Sequence, residues 1–461
     1  MKNLIQLFTI ALFTLFGWST LNAQAVQYIT TGDQTQLFQK QIIPITAFQN
    51  AGTILEVDEQ KTFQTIEGFG FAMTGGSAAL IDALPIEKKK KLLKEIFGKG
   101  PEDLGVSYIR ISIGASDLDA EVFSYCDLPK GETDNNLLHF KLSQDTLHLI
   151  PIIKEALKIN PSLKIMASPW SPPVWMKSNE NSMGGHLLKQ YYGTYALYFS
   201  KYINAMKGKG ITINALTMQN EPEHGGNNPS LLMSAEEQKV FLRDYLGPKF
   251  QQDHIKTEIV LYDHNADHPN YPISILDDKK ASSYASGTAF HMYLGSETAL
   301  SKVHEAHPKK KLYFTEQWTG AKGSFDGDLF WHTEHIVIGT INNWSNAVFE
   351  WNLAANAKFE PHTPGGCTEC KGAFTIEGED ISRNVSYYII GHVSKFVPAG
   401  AKRIASTSTN DSIKSTSFLL PNGKKVSVIL NSQNASTILL KNKNQYYNVS
   451  LPAGSVSTIV W

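Results

Sequence analysis

The sequence predicts an α/β protein: a (β/α)8 barrel with an attached small antiparallel β-sandwich. Three observations carry that prediction. Between roughly residues 66 and 396, apolar runs of strand length alternate with amphipathic helical stretches, which is how a parallel sheet with crossover helices reads. The strand-like runs number eight, and eight parallel strands close into a barrel. Past residue 401 the helical period stops, and short β-like runs separated by turn residues take over.

Taken in order, the chain opens with a leader. Lys2 supplies a positive charge, 4–18 is apolar, and Leu21-Asn22-Ala23 ends in the small residue that signal peptidase prefers. Residues 1–23 are therefore expected to be a signal peptide cleaved before Gln24, making the mature protein secreted or periplasmic. The apolar run is short for a membrane span, and no later stretch qualifies as one. Residues 26–58 are poor in helical pattern. Barrel strands are expected over 65–71, 107–114, 163–168, 213–219, 258–263, 288–293, 311–316 and 347–351. Helix patterns over 86–97, 144–158, 187–206 and 235–246 lie between them. Sandwich strands are expected over 415–420, 426–430, 437–440 and 456–460, with Pro421-Asn422-Gly423 as a turn. The expected division is a barrel over 63–398 and a sandwich from 24–62 together with 399–461.

With 461 residues, 42% hydrophobic and 18% charged, the chain has room for a large globular domain and a smaller one. A net charge of −1 gives no electrostatic case for a nucleic-acid partner or an anionic membrane surface. The basic run Lys88-Lys89-Lys90-Lys91 falls in a helical pattern and reads as a solvated face. Aromatic residues, including 8 Trp and 18 Tyr, are plentiful enough to furnish a sugar-stacking cleft. Cys367-Thr368-Glu369-Cys370 has no second Cys-x-x-Cys to complete a zinc site. In an exported chain it reads as a local disulfide between Cys367 and Cys370, which leaves Cys126 as a lone buried thiol. Sequons begin at Asn343, Asn384, Asn434 and Asn448. No motif calls for a metal, a nucleotide or another cofactor, and none specifies an oligomeric state.

The chemistry gathers at strand ends. Glu221, in Ala215-Leu216-Thr217-Met218-Gln219-Asn220-Glu221-Pro222, follows the fourth strand, and Glu316, in Leu312-Tyr313-Phe314-Thr315-Glu316-Gln317, ends the seventh. A carboxyl group at the C-terminal mouth of a buried strand is held rigidly while facing solvent. Two from different strands are the minimum equipment for cleaving a glycosidic bond: one protonates the leaving oxygen, the other attacks or activates water. One such Glu alone would read as a structural acid; two, each flanked by amides and aromatics, favour chemistry. Arg110, inside the second strand, needs an acidic partner, and Glu316 is the candidate. Asn220 can bond a sugar 2-hydroxyl. His291 and Tyr293, two residues apart, face one side of the sixth strand and can hydrogen-bond Glu316, keeping it ionised; the rival reading of His291 is a satisfied structural histidine. Asp117, after the second strand, can accept bonds from sugar hydroxyls. Ser168-Pro169-Trp170-Ser171-Pro172-Pro173-Val174-Trp175-Met176-Lys177 holds two indoles at fixed positions for stacking, and Trp351, closing the eighth strand, is a natural floor for a sugar ring.

These segments resemble glycoside hydrolase family 30, the family of glucosylceramidases and endo-β-1,6-glucanases. The resemblance runs in order through Gly68-Phe69-Gly70, Arg110-Ile111-Ser112-Ile113-Gly114, 168–177, 217–222, His291-Met292-Tyr293 and Thr315-Glu316-Gln317. It continues through Trp351-Asn352-Leu353-Ala354 and Gly391-His392-Val393-Ser394-Lys395-Phe396. It implies a retaining mechanism with Glu221 as acid/base and Glu316 as nucleophile, and places Asp117, Trp170, Asn220 and Trp351 at the terminal sugar. Phe71 and Gly75 stand where the family often has Gly and Asp, and Leu118 where Phe is frequent. The insert Gly365-Gly366-Cys367-Thr368-Glu369-Cys370 resembles the β-1,6-glucanase branch. The implied activity is hydrolysis of β-glucan or β-glucoside, first as an endo-β-1,6-glucanase, alternatively as a glucosylceramidase, another exo-β-glucosidase or a β-xylosidase. A non-catalytic carbohydrate-binding barrel is the reading from another class; it would not need both glutamates. Acid and nucleophile require opposite protonation states, so Glu221 is expected to titrate above Glu316.

Overall fold

Eight parallel strands close on themselves in chain order: Gly68–Ala72, Tyr108–Ile113, Lys164–Pro169, Ala215–Thr217, Glu258–Ala266, Ala285–Gly295, Lys311–Glu316 and Ser345–Asn352. The eighth pairs back onto the first, with Ala347 opposite Gly68. A computed structural model describes residues 24–48 and 52–461 of the chain; the expected signal peptide lies outside the described residues. Helices follow the strands on the outside of the barrel and side chains fill its inside, so the strands are buried on two sides, which is why they read as continuous apolar runs.

Strand periodicity stacks the interior in layers. Tyr108, Met166, Ala215, Val260, Ala289, Tyr313, Ala347 and Phe349 form an apolar plug. Below it, Lys311 bridges Glu67 and Glu258 at 2.6 Å each and closes the bottom of the barrel. Two residues further along their strands, Arg110, Ser168, Thr217, His291 and Thr315 make a polar layer, and above that Trp170, Tyr293 and Trp351 reach the mouth.

The helix at Ile86–Phe97 falls where the apolar spacing puts it. The one expected over 144–158 begins at Leu149, because 145–148 form a turn. The stretch expected over 187–206 is a 3-10 turn, Lys189–Tyr191, leading into Tyr192–Gly208. Ala235–Phe241 starts on a Ser234/Glu237 capping box and passes into a π-helical segment, Leu242–Leu246.

Among the described residues nine strands form the sandwich: Gln24–Thr31, Gln39–Thr46, Ile54–Thr65, Lys402–Ser408, Ile413–Leu419, Lys425–Asn431, Ser436–Asn442, Gln445–Leu451 and Ser455–Val460. Lys402–Ser408 and Gln445–Leu451 go beyond the four expected strands; they mix polar and apolar residues and are set by pairing with their neighbours. One face packs inward on Leu55, Ile429, Ile438, Leu440 and Val449. On the other, Phe418, Val426, Val428, Leu430 and Val456 merge with the core around the barrel. Cys367 and Cys370 are joined in a disulfide and Cys126 is buried and free. Among the described residues no helix is long and apolar enough to cross a membrane.

Candidate active site

A fully buried carboxylate must find partners, and Asp263 finds them on five other strands. Its Oδ2 accepts from Arg110 Nη2 at 2.9 Å, Ser168 Oγ at 2.6 Å and Thr217 Oγ1 at 2.7 Å. Its Oδ1 accepts from Thr315 Oγ1 at 2.6 Å and His291 Nε2 at 3.2 Å. Burial pushes this carboxyl up, but the Arg110 charge and these donors hold it well below the usual range. Counting by twos from Val260 would not aim Asp263 inward. The strand slips register between Tyr262 and His264, with φ of 69° at Tyr262 and 72° at Asp263, and this irregularity turns the carboxyl to the axis. Glu221 also sits at positive φ, 46°, and its N–H donates to Asp263 O at 2.9 Å. Backbone strain of this kind, costing on the order of 1–3 kcal/mol per residue, collects at functional sites.

Arg110 is the second hub. Nη1 donates to Glu316 Oε2 at 2.6 Å and Nη2 to Asn220 Oδ1 at 2.6 Å. Its guanidinium carbon lies 4.9 Å from the Trp170 ring and 5.7 Å from that of Trp351, and the two indoles stack 5.4 Å apart. Tyr293 Oη donates to Glu316 Oε1 at 2.9 Å. His291, anticipated as a partner of Glu316, bonds instead to Glu221 Oε1 through Nδ1 at 3.2 Å; Glu316 Oε1 is 3.7 Å away. Asn227 Nδ2 donates to Glu221 Oε2 at 3.1 Å.

Three carboxylates, Asp263, Glu221 and Glu316, thus face two cations. Burial lowers His291, but Glu316, Asp263 and Glu221 outweigh it and raise the imidazole to about 9, so both ring nitrogens donate. Burial raises Glu221, yet the His291 bond and charge hold it below the ordinary carboxylate value. Burial raises Glu316 above that value against the pull of His291 and Arg110. In the open cleft the order is therefore the reverse of the expected one, because the charged imidazole bonds Glu221. An oxygen of each glutamate and a nitrogen of His291 lie within 4.8 Å of one another. That trio has the donor set of a metal site, but His291 is bonded at both nitrogens and the Arg110 charge already occupies the place of a cation.

Above these groups opens a cleft of about 460 Å³. Of the residues singled out from sequence, Asp117, Trp170, Glu221, Tyr293, Glu316 and Trp351 line it, with Cys367 and Cys370 at its edge. Arg110, Asn220 and His291 lie behind that lining, almost wholly buried. The disulfide loop holds Asp117: Cys367 N–H donates to its Oδ2 at 3.3 Å and Thr363 N–H to its carbonyl at 2.9 Å. Burial, with the charges of Glu316 and Glu221, pushes Asp117 up to about 7. Trp175 is not at the cleft; its Nε1 donates to Cys126 O and its ring meets Tyr191. Asp263 was missed from sequence although an acid ending an expected strand was the signal used for Glu316. Asn227, His264 and Trp318 carry no comparable signal, and only the fold brings them to the cleft.

Residues 66–397 match the model of the glycosyl hydrolase family 30 TIM-barrel domain, and residues 400–459 that of the family's beta sandwich domain. The chain is 32% identical over 425 residues to an endo-1,6-beta-D-glucanase of Aspergillus fumigatus, covering 86% of this chain and 85% of that one. It is 28% identical over 439 residues to the lysosomal acid glucosylceramidase of Mus musculus, covering 89% and 84%. Among solved structures, an endo-beta-1,6-glucanase superposes with a TM-score of 0.90 at 34% identity, covering 95% of this chain and 99% of that one.

Proposed function

The chain belongs to glycosyl hydrolase family 30 and is a glycoside hydrolase, and from that premise we propose that it is an exported endo-β-1,6-glucanase working by retaining double displacement. Glu316 is the nucleophile and Glu221 the acid/base. The observation that carries this reading is the close approach of the two carboxylates, with an oxygen of one within 4.8 Å of an oxygen of the other. Retaining pairs stand about 5–5.5 Å apart, whereas an inverting pair needs about 6.5–9.5 Å to admit a water. Arg110 and Tyr293 each bond one Glu316 oxygen, which aims the carboxylate at an anomeric carbon seated over Trp170 and Trp351. The open cleft has the opposite order, so the mechanism requires that a bound sugar, by excluding water around Glu221, raise it beside the Glu316 charge. Glu221 then gives its proton to the leaving oxygen as the Glu316–C1 bond forms. It then takes a proton from the water that cleaves that bond, restoring both carboxyls. Asn220, held by Arg110, is positioned for the sugar 2-hydroxyl, and Asp117 for hydroxyls of the same ring. The β-1,6 linkage is supported by the Aspergillus relative and the superposing glucanase. Export rests on the leader pattern of residues 1–23.

The test is incubation with linear β-1,6-glucan, laminarin, glucosylceramide and an aryl β-glucoside, with products followed by chromatography and by NMR at the anomeric carbon. β-1,6-Gluco-oligosaccharides released first as the β-anomer are expected. First release as the α-anomer would overturn the mechanism; glucose from glucosylceramide with the glucan left intact would move the substrate to the glucosylceramidase reading.

A further inference from the structure

His264 follows Asp263 through the irregular turn of the fifth strand and lines the cleft beside Glu223, Asn227 and Asp267. Its Nδ1 is buried and has no hydrogen-bond partner. That nitrogen lies 3.9 Å from Glu221 Oε1, just beyond bonding distance, so a shift of less than an ångström would close the contact. Buried polar atoms are seldom left unpartnered, and one beside a reacting group calls for an explanation. The ring is wedged edge-on against Tyr262 and lies 6.4 Å from the His291 ring. The charged groups that face it are Glu221, His291, Glu223 and Asp267; burial outweighs the acids among them and pulls the imidazole down to about 4. His264 is therefore neutral above about pH 4, whereas His291 keeps its charge up to about pH 9.

A neutral imidazole carries one N–H and one lone pair, at opposite corners of the ring. When Nδ1 donates to ionised Glu221, Nε2 is an acceptor; when Nδ1 accepts from protonated Glu221, Nε2 carries the donor. The two ends cannot be set independently. Glu221 marks the leaving-group side of the cleft, since it protonates the departing oxygen, while the stacked indoles over Arg110 mark the other side. His264 is on the Glu221 side, with Nε2 the nitrogen left to a ligand.

We propose that His264 recognises the leaving sugar: Nε2 bonds one of its hydroxyls while Nδ1 closes on Glu221, so one ring couples leaving-group binding to the proton state of the acid. This deepens the glucanase reading and rests on it. A leaving group without hydroxyls, such as a dinitrophenolate, makes no use of the contact.

The experiment compares kcat/KM for a β-1,6-linked glucotriose and for 2,4-dinitrophenyl β-glucoside in the wild type, His264→Phe and His264→Gln. His264→Phe keeps an aromatic ring at the position and removes both nitrogens; His264→Leu is the second variant if the larger ring disturbs folding. The ratio of oligosaccharide to aryl glucoside is expected to fall about tenfold or more in His264→Phe, the effect of one lost hydrogen bond. It is expected to recover to within about threefold of wild type in His264→Gln, whose amide can still bond a hydroxyl. The alkaline limb of the oligosaccharide pH profile is expected to move in the Phe variant. An unchanged ratio, whether both activities fall together or neither does, overturns the inference if the wild type cleaves the trisaccharide. A wild type that cleaves no β-1,6-glucoside overturns the glucanase reading and this inference with it.

Discussion

Glu221 and Glu316 lie beside one charged imidazole, and the division of labour proposed for them rests on what else each touches. Glu316 is gripped at both oxygens by Arg110 and Tyr293, which suits a group that must attack in one direction. The Glu221 side chain is bonded by His291 and Asn227, both donors to its carboxylate, and it faces the open cleft. Glu316→Gln is expected to abolish turnover of every substrate, by about 10⁴-fold or more, because no covalent intermediate can form. Glu221→Ala is expected to keep a measurable glycosylation step with a dinitrophenyl glucoside, and azide should accelerate its turnover and yield the β-azide, seen by NMR. Azide rescue with retained configuration in the Glu316 variant instead would exchange the roles. His291 has a value of about 9 in the fold against 6.5 for the free side chain. A raised value means that its charge-pairing stabilises the fold fully below about pH 6.5 and that this is lost as pH rises through about 9. The loss amounts to about 3 kcal/mol at most. Melting temperatures of wild type and His291→Gln should therefore converge between pH 6.5 and 9; a constant gap would show that the imidazole is neutral throughout.

The fifth strand, Glu258–Ala266, shows what one irregular element does for a site. Its bulge aims Asp263 at the axis, where the carboxylate ties Arg110, Ser168, Thr217, His291 and Thr315, each from a different strand. The same bulge hands the next residue, His264, to the cleft wall. Asp263→Asn removes the charge that balances Arg110 in the barrel interior while keeping the shape. Breaking a buried pair from one side costs about 3–5 kcal/mol, so the denaturant midpoint should fall by a corresponding amount. Activity should fall as well, since Arg110 is then free to shift off Glu316. A variant as stable as wild type would mean that the Glu316 contact alone suffices for Arg110. From the sequence, apolar runs of strand length made the eight strands and their mouths readable, because such runs are local. It could not reveal the bulge, since a bulge is defined against the neighbouring strand.

Across the whole molecule, barrel and sandwich share a core, and the joint is pinned by a polar bridge. In the helix Val385–Ser394, His392 Nδ1 pairs with Thr458 Oγ1 at 2.8 Å and Nε2 with Thr30 Oγ1 at 2.9 Å, joining the strands Gln24–Thr31 and Ser455–Val460 of the sandwich to the barrel. Burial pulls this imidazole down to about 3, so it is neutral when folded. Between pH 6.5 and 3 the unfolded chain binds a proton that the folded one refuses, so stability falls with pH over that window, opposite in sign to His291. One unfolding transition is expected near neutral pH, with its midpoint dropping on acidification less steeply in His392→Gln than in wild type. Two separate transitions at neutral pH would show that the sandwich and barrel melt independently.

By itself, the sequence determined the strand count, the alternation with helices, the β-rich ends, and which residues stand at strand mouths. Each of these depends on spacing along a few neighbouring residues, so the pattern survives without knowledge of the fold. Tertiary structure decided what those residues do to one another. His291 bonds Glu221 and only approaches Glu316, Trp175 packs into the core while Trp170 meets the cleft, and the two glutamates titrate in the reverse of the expected order in the open site. All three turn on contacts between segments separated along the chain, and the two that involve the glutamates turn also on a charge balance over several strands, where electrostatic effects are strong because water is excluded.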